Sequence, residues 1–334
     1  MTSEISTAGQ HRTVADATPH AASLIQSLRD IGYSCETALA DIIDNSITAG
    51  SRNIDILCNT NCAEPAIGIL DDGNGMDLDE LIEAMRPGSR NPLDERDAGD
   101  LGRFGLGLKS ASFSQCKKLT VVSRKNGQTV GATWDLEEVA RSNRWEIETH
   151  YVVSELPWSD MLKETGTLVI WRSLDRLSGG IEHDDRKRSE HINRTIAEAE
   201  RHIRLVFHRF MEDDKPALRL ALNGRELAPL DPFARSYPSH QCEPQDELKL
   251  GRGTVVFQSF TLPHHKSISK ADWEDLSGPD GHLKSQGFYV YRGRRLIIAG
   301  SWLGLARQTE LTKLGRIRVD MPTTMENTPA MTSG

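Results

Sequence analysis

The sequence predicts an α+β protein with two domains, the first a mixed sheet with helices on one face. Helical patterns are grouped at the start of the chain, and strand-like runs that are mostly adjacent in sequence follow them. A length of 334 residues suits two domains of ordinary size. The polar segment DRLSGGIEHDDRKR, at residues 175–188, predicts the boundary between the two domains.

Two helices are predicted at the start of the first domain. Residues 1–18 are polar and predict a flexible N-terminus. From Ala21, apolar residues recur at helical spacing until Gly32 interrupts them, and a second apolar stripe follows and ends near Gly50. Asp77 with Glu80 three residues later predicts a capping box that begins a third helix. Strand-like runs lie at 53–58, 66–71, 118–123, 128–135, 147–153 and 167–172.

A long amphipathic helix is predicted after the boundary. Its apolar residues fall at steps of three and four: Ile192, Ile196, Ala199, Ile203, Phe207 and Phe210. Further strand signals alternate with turns beyond it, which indicates a second α+β domain. The predicted division is therefore a first domain at 19–178, a linker helix at 179–212, a smaller second domain at 213–322 and a tail at 323–334.

Composition and charge exclude several classes of protein. With 40 Lys and Arg against 48 Asp and Glu, the net charge is −8, which argues against a broad basic coat for DNA. Apolar runs stay far short of the ~20 residues of a membrane helix, and the polar start lacks a signal peptide. A cytoplasmic protein without a membrane partner is expected. Cys58 and Cys62 have no matching ligand pair, so reduced thiols are favoured over a zinc site.

The first motif that suggests chemistry is DIIDN, on the second predicted helix. Asp41 and Asn45 are four residues apart, so both side chains leave the helix on one face. An amide oxygen at Asn45 can bind Mg²⁺, and a carboxylate at Asp41 can orient or deprotonate a water that attacks a γ-phosphate. A solvated polar stripe has the same pattern, and this motif alone leaves both interpretations open.

The second motif, DDGNGM, follows a predicted strand directly. A carboxylate at Asp71 can accept a hydrogen bond from an adenine amino group, and Gly73 and Gly75 allow the backbone to approach a base closely. A plain tight turn is the alternative, because Asp and Gly are common in turns. A calcium loop is excluded, since no Glu closes the twelve-residue spacing.

The third motif is a glycine turn that opens a helix, GRFGLGLKS at 102–110. Such a turn presents free N–H groups and the positive end of a helix dipole to phosphates. Leu108 stands where a Walker A loop has glycine, and a dinucleotide fingerprint has a different glycine order. Glycines needed only for packing are the alternative. The polar residues 86–103 before it form a long loop, which is typical of a functional lid.

Taken in order, these motifs resemble the ATPase superfamily of gyrase B, the ninety-kilodalton heat-shock chaperone, histidine kinases and MutL (GHKL). Within it the chain looks most like MORC-type ATPases, particularly their prokaryotic relatives. The similarity covers roughly residues 20–320. It is carried by ALADIIDNSITAGS (38–51), ILDDGNGM (69–76), GRFGLGLKSASF (102–113), TGTLVIW (165–171) and GFYVYRGRRLI (287–297).

The resemblance implies a Bergerat-type α/β sandwich that binds ATP and Mg²⁺, followed by a transducer-like domain. It implies that Asn45 binds Mg²⁺ and that Asp41 is the general base, where the family usually has a longer glutamate. It implies an ATP lid at 86–103. The nucleotide-binding residues that it implies are Asn45, Asp71, Gly73, Gly75, Met76, Gly102, Arg103, Phe104, Gly105, Leu106, Gly107, Leu108, Lys109 and Thr167.

The implied function is a slow ATPase that forms a homodimer on binding ATP and acts as a clamp or switch in a DNA-related or phage-defence process. An ATP-binding switch with little hydrolysis, which gates a protein partner, is the alternative. Relatives supply a lysine to the γ-phosphate from the second domain, and Lys313 is a candidate. Basic clusters predict contacts with DNA or a DNA-processing protein, unless they are solvated surface charge: Arg186–Arg188, Arg201/Arg204/Arg209, Arg292/Arg294/Arg295 and Arg316/Arg318.

Overall fold

The computed structural model describes residues 19–30, 32–88, 107–181, 183–213, 215–251 and 253–322. The helices there are α1 (Ala21–Arg29), α2 (Cys35–Thr48), α3 (Leu78–Met85), α4 (Gly107–Phe113), α5 (Leu136–Ser142), α6 (Asp185–Val206), α7 (His208–Met211) and α8 (Lys270–Ser277). The strands are β1 (Asn53–Asn59), β2 (Ala66–Asp71), β3 (Lys118–Lys125), β4 (Gln128–Asp135), β5 (Glu148–His150), β6 (Gly166–Arg172), β7 (Arg219–Leu222), β8 (Arg225–Glu226), β9 (Gln241–Cys242), β10 (Asp246–Leu250), β11 (Gly253–Thr261), β12 (Gly287–Arg292), β13 (Arg295–Ser301) and β14 (Gly315–Met321).

The first sheet has eight strands in the order β5-β4-β3-β6-β2-β1-β7-β8. Neighbouring strands are antiparallel except for β1 and β7, which are parallel, so the sheet is mixed. Successive side chains alternate between its faces, and the helices pack on one of them. Strand side chains of that face share a continuous apolar core with α1, α2, α4 and α6. The predicted mixed sheet with helices on one face is confirmed.

A smaller set of apolar side chains covers the opposite face of the sheet. Leu57, Val122, Leu168 and Ile170 form a second apolar cluster there, against the segment at 153–162. Trp158 of this segment lies so close to Gly68 that an added Cβ would be 2.8 Å from its ring. The sheet therefore has no broad solvated face at its centre, although helices cover only one side.

The predicted linker helix is part of the first domain's core. The apolar stripe of α6 is buried in the same cluster as α2, through Ile192, Ile196, Ala199 and Ile203. A stripe at steps of three and four must be buried, and the helices on the sheet provide the surface. The helix ends at Val206, and Phe207 separates it from the short α7.

The first sheet continues beyond the predicted domain boundary at residue 213. Strands β7 and β8 lie beyond it and extend that sheet at its edge, with Ile54 paired to Leu220. Leu218 and Leu220 are buried there, which explains the position of the segment, since its apolar side chains complete the core under β1. The other predicted bounds of the domains stay a prediction.

The second sheet comprises β10-β11-β14-β12-β13, with β9 paired to β11. β12 and β14 are parallel, and the other pairs are antiparallel. Phe233, Phe260, Tyr289, Tyr291 and Leu296 pack as one aromatic-rich cluster, with Leu205 of α6 against it. The predicted α+β fold with an additional unit is therefore confirmed, and α6 contacts both sheets.

Local sequence signals set several ends of these elements. The Asp77 side chain accepts from the Glu80 backbone at 2.9 Å, and the Glu80 side chain accepts from the Asp77 backbone at 2.9 Å, which confirms the capping box at α3. Gly32 and Gly50 have positive φ just beyond α1 and α2, where the sequence predicts interruptions. Among the described residues, no helix combines the length and apolar character needed to span a bilayer.

Candidate active site

Helix α2 presents the first motif at the edge of the sandwich. Ile42 and Ile43 face the core, fully buried, so the polar residues of the motif lie on the remaining side of the helix. Asn45 is exposed, and Asp41 is half-buried one turn before it. The two side chains therefore share one face at the rim of the core, as the spacing predicts.

The carboxylate of Asp41 lies beside the beginning of α4. An ideal Cβ on Gly107 would be 3.6 Å from Asp41 Oδ2, so the third motif approaches the first directly. Burial raises the pKa of Asp41, and this effect outweighs a hydrogen bond from Tyr33 and the charge of Arg295, both of which lower it. Tyr33 also interacts with Ser110 of α4, so its hydroxyl joins the two motifs.

The carboxylate of Asp71 is buried at the end of β2 and accepts three hydrogen bonds. Its Oδ1 accepts from the backbone N–H of Gly73 at 2.9 Å and of Thr167 at 3.1 Å, and its Oδ2 accepts from Ser46 Oγ at 2.8 Å. Burial raises the pKa of Asp71 despite these bonds. A carboxylate has about four acceptor positions, so Oδ2 retains the capacity for one more donor.

The neighbouring Asp72 has a structural role. Its carboxylate accepts from Ser51 Oγ, the Arg52 and Asn53 backbone and the Asn53 side chain, at 2.6–2.9 Å. Burial alone would raise the pKa of Asp72, but these hydrogen bonds outweigh it and lower the pKa. Asp72 thus fixes the turn between α2 and β1, while Asp71 points the other way.

A network of hydroxyl groups joins the second motif to β3 and β6. Buried Ser123 accepts from the Met76 backbone N–H at 2.9 Å and donates to the Gly166 carbonyl at 2.9 Å. Its one proton is then used, so the Thr167 hydroxyl, 3.0 Å away, donates to Ser123. Met76 and Thr167 thereby lie in one network with Asp71.

Two glycines permit the close approach of these segments. Gly75 has φ +66°, and an added Cβ would lie 2.0 Å from the Arg124 carbonyl oxygen. Gly166 has φ +139°, and an added Cβ would lie 2.1 Å from the Asp71 carbonyl oxygen. Backbone is therefore packed directly on backbone at both positions, which only glycine tolerates.

The third motif is described only from Gly107 onward. Gly102, Arg103, Phe104, Gly105 and Leu106 lie outside the described residues, as does the predicted lid from residue 89. Half-buried Leu108 packs against the core beside Gly107. The amine of Lys109 is directed to the end of α3, where it donates to the Ala84 carbonyl at 2.8 Å. A phosphate contact by Lys109 stays a prediction.

The second sheet reaches α2 through Arg295. Arg295 Nε donates to both carboxylate oxygens of Asp44, at 2.9 and 3.0 Å, and its guanidinium lies 4.7 Å from the ring centre of Phe207. Both side chains of the pair are nearly buried. Burial raises the pKa of Asp44, and Arg295 opposes that rise. Removing one partner of such a pair typically costs about 3–5 kcal/mol.

Sequence reasoning missed four residues around this site: Tyr33, Ser46, Ser123 and Arg295. Ser46 and Ser123 are polar residues within otherwise apolar segments, which is the signal that could have identified them. Tyr33 and Arg295 gave no such signal, because their partners are distant in sequence. The candidate Lys313 instead pairs with Glu310 at 2.8 Å.

Among the described residues, one cluster of metal-ligating groups lies elsewhere in the structure. Ligand atoms of His208, Glu212 and Asp231 lie within 4.8 Å of one another. Arg235 donates to Glu212 at 2.6 Å and to Asp231 at 2.9 Å, so the positive charge that a metal would supply is already present. Mg²⁺ binding by Asn45 beside α2 stays a prediction.

Comparisons with known proteins agree with the motifs. Residues 33–165 match the family described as "Histidine kinase-, DNA gyrase B-, and HSP90-like ATPase". Over 93 residues, 27% of the chain is 33% identical to the ATPase morc-1 of Caenorhabditis elegans. Over 102 residues, 28% of the chain is 33% identical to the chaperone protein HtpG of Rickettsia prowazekii. These matches span 10% and 16% of the two relatives.

Residues 33–165 are therefore a GHKL-type ATPase domain, with similarity to a MORC ATPase. The match contains the DIIDN, DDGNGM and GRFGLGLKS segments and ends directly before β6, the strand that bears Thr167. The resemblance to the GHKL superfamily that the motifs indicated is thereby confirmed. The role of each residue within the motifs stays a prediction.

The packing at Gly75 predicts a large effect of a single methyl group. Gly75→Ala should lower the free energy of unfolding by about 2 kcal/mol or more, because positive φ and the Arg124 carbonyl both oppose a Cβ. Gly127→Ala is the control, since Gly127 has φ +79° with open space around it and carries only the backbone penalty. Urea denaturation measures both, and equal losses would contradict the close approach at Gly75.

Proposed function

We propose, on the premise of this ATPase domain, that the chain binds ATP with Mg²⁺ beside α2 and hydrolyses it to ADP and phosphate. The observation that carries the proposal is the approach of Asp41 to Gly107, which places a carboxylate at the beginning of the helix that follows the glycine turn. Free N–H groups at such a position bind phosphate. A carboxylate beside them can accept a proton from an attacking water.

Asp71 would hold the adenine end of the nucleotide. The free acceptor position on Oδ2 suits the adenine amino group, and Thr167 would complete this end. Gly73 and Gly75 would line the base pocket, and Met76 would lie beside them. The rigid packing at Gly75 and Gly166 supports this assignment, because a base pocket needs walls that do not collapse.

Asn45 would hold Mg²⁺ through its exposed amide oxygen, with phosphate oxygens and waters as the other ligands. Mg²⁺ bound there would neutralise charge on the phosphate oxygens. Backbone N–H groups of the glycine turn, from Gly102 to Leu108, would hold the phosphates, and Lys109 would assist them. The segment at 86–103 would be the lid.

Asp41 would orient the water and take its proton while the oxygen attacks the γ-phosphorus and the bond to ADP breaks. Its raised pKa makes it a stronger base than an exposed aspartate. Tyr33 would hold the carboxylate in position through its hydroxyl. The shorter reach of an aspartate fits slow turnover.

ATP binding would also join two copies of the chain into a clamp or switch, as GHKL ATPases commonly dimerise. Arg295 supports communication between the two sheets, because its partner Asp44 lies on α2 directly beside Asn45. A change in α2 on nucleotide binding would therefore act on β13 through this ion pair.

A second candidate function is an ATP-binding switch with little hydrolysis. The hydrogen bond between Tyr33 and Asp41 favours it, because it uses part of the acceptor capacity that a general base needs for water. In this case nucleotide binding would gate a protein partner, and hydrolysis would be incidental.

We also propose that the protein acts in a DNA-related or defence process. The basic clusters give this part limited support, since many of their cations already have acidic partners. Arg186 pairs with Glu190, Arg204 with Asp275, Arg209 with Asp320 and Arg294 with Asp213. These ion pairs reduce the positive charge available to DNA phosphates.

Asp71→Asn should weaken ATP binding at least about tenfold, because a charge-assisted hydrogen bond to the adenine amino group is lost. Asp72→Asn is the matched control, since it disturbs a comparable set of hydrogen bonds but faces the turn at 51–53. Equilibrium nucleotide titration measures both, with circular dichroism to check folding. Equal affinities in the two variants would refute the adenine assignment.

Asp41→Asn should retain ATP binding and lose hydrolysis by a factor on the order of 10²–10⁴, the usual contribution of a general base. Asn45→Ala should instead weaken Mg²⁺-dependent nucleotide binding. Asp160→Asn, an exposed acid elsewhere in this domain, should change neither. Phosphate release from ATP is the measurement. Wild-type binding without turnover would select the switch, and full turnover in Asp41→Asn would exclude Asp41 as the base.

Arg295→Gln should move the acidic limb of the kcat–pH profile to higher pH. The Arg295 cation lowers the pKa of Asp41, so its removal raises that pKa, and Asp41 is protonated and inactive at a higher pH than before. Arg294→Gln is the control, because its pair with Asp213 is exposed. A profile that loses amplitude without shifting would assign Arg295 a purely structural role.

A further inference from the structure

A cavity of about 370 Å³ lies between α6 and the second sheet, apart from the residues assigned to nucleotide binding. Arg201, His202 and Leu205 of α6 line one side, and Ser285, Tyr289 and Arg316 line the other. This volume is within the range of small-molecule sites, which commonly lie at interfaces between domains.

Arg316 is buried in the wall of this cavity, and no described residue forms a salt bridge with it. Its guanidinium donates to the Pro232 carbonyl, to the Leu276 carbonyl at 2.5 Å and to Ser285 Oγ at 3.3 Å, all of them neutral acceptors. Its Nε is buried and has no hydrogen-bond partner in the described part of the chain. The side chain is 1% exposed, so water does not compensate for the missing charge.

Arg201 lies in the same cavity and is also without a carboxylate partner. It donates to the backbone carbonyl of Asp275, whereas the Asp275 carboxylate binds Arg204 at 3.0 Å. Within the described part of the chain, neither Arg201 nor Arg316 forms a salt bridge. Burial is the largest influence on both arginines and lowers their pKa, whereas Asp275 opposes this effect at Arg201, and Tyr289 and Asp231 oppose it at Arg316.

We propose that this cavity binds a small-molecule anion through a phosphate or carboxylate group held between Arg201 and Arg316. Buried charges are normally paired, because leaving a cation uncompensated is costly, and an oxyanion supplies both the charge and the acceptors that the two guanidiniums lack. Ser285 offers a further hydroxyl, and Leu205, Leu230 and Pro232 offer apolar walls for the body of the ligand.

The charges around the cavity also indicate how the ligand is oriented. Four acidic residues line the cavity as well: Glu36, Glu198, Asp275 and Asp280. Asp275 is paired with Arg204 at 3.0 Å, and exposed Asp280 is paired with Lys284 at 3.5 Å, while Glu198 is exposed. Acidic groups near solvent disfavour a second negative charge at the rim. The anionic group therefore points inward, and a neutral or basic part of the ligand faces outward.

Such a ligand would link the two parts of the molecule. Arg201 lies on α6, which packs against α2, and Arg316 lies on β14 of the second sheet. An anion shared by both arginines would hold α6 and the second sheet together. Binding would thus stabilise the arrangement of the two sheets independently of ATP.

Isothermal titration of the full chain with inorganic phosphate, and separately with acetate, tests the site in nucleotide-free buffer at constant ionic strength. Wild type should bind at least one probe, and Arg201→Gln should weaken that binding about tenfold or more. Arg186→Gln, on the exposed face of the same helix, should bind as wild type does. Absence of binding, or equal affinity in Arg201→Gln, would overturn the proposal.

Chemical modification of wild type locates the anion without a variant. Phosphate or acetate, whichever binds, should protect Arg201 from phenylglyoxal, as quantified by peptide mass spectrometry, while exposed Arg186 reacts equally with and without it. Modification of Arg201 that is unaffected by the bound anion would place the anion elsewhere, including at the nucleotide site, and would refute this site.

Discussion

The burial of α2 on several sides is the constraint from which the rest of the structure follows. The sheet, α4 and α6 cover its apolar residues, and Ile42 and Ile43 are fully buried among them. A helix packed in this way keeps one polar edge, and Asp41, Asp44 and Asn45 occupy it. The same packing that stabilises the core therefore collects the groups proposed to bind nucleotide and those that meet the second sheet.

Adjacent acidic residues in the DDGNGM segment have opposite roles because successive side chains of extended backbone point to opposite sides. Asp71 turns toward α2, where burial raises its pKa and Ser46, Gly73 and Thr167 donate to it. Asp72 turns toward the preceding loop, where its hydrogen bonds lower its pKa. Two neighbouring aspartates thus have different roles: Asp72 stabilises a turn, whereas Asp71 keeps the capacity to accept one more hydrogen bond.

The arginines at the interface between the two sheets are paired in two different ways. Arg295 finds its counter-ion on α2, in Asp44, whereas Arg201 and Arg316 meet neutral carbonyls beside a cavity. The first arrangement is complete within the chain. In the second, the anion that we propose would supply the acceptors that the chain itself does not provide.

The sequence by itself determined the local elements, the α+β class and the family of the ATPase domain. Helical periodicity predicted α2 and α6, the Asp77 and Glu80 spacing predicted a capping box, and the three motifs predicted the superfamily, because these signals lie within short segments.

Only the tertiary structure decided that α6 belongs to the core and that β7 and β8 extend the first sheet. It also decided that Tyr33 holds Asp41 and that Arg295 pairs with Asp44. Pairing of Asp44 with Arg295 joins residues 251 positions apart, and local spacing carries no information on which of many arginines will meet a given carboxylate after folding.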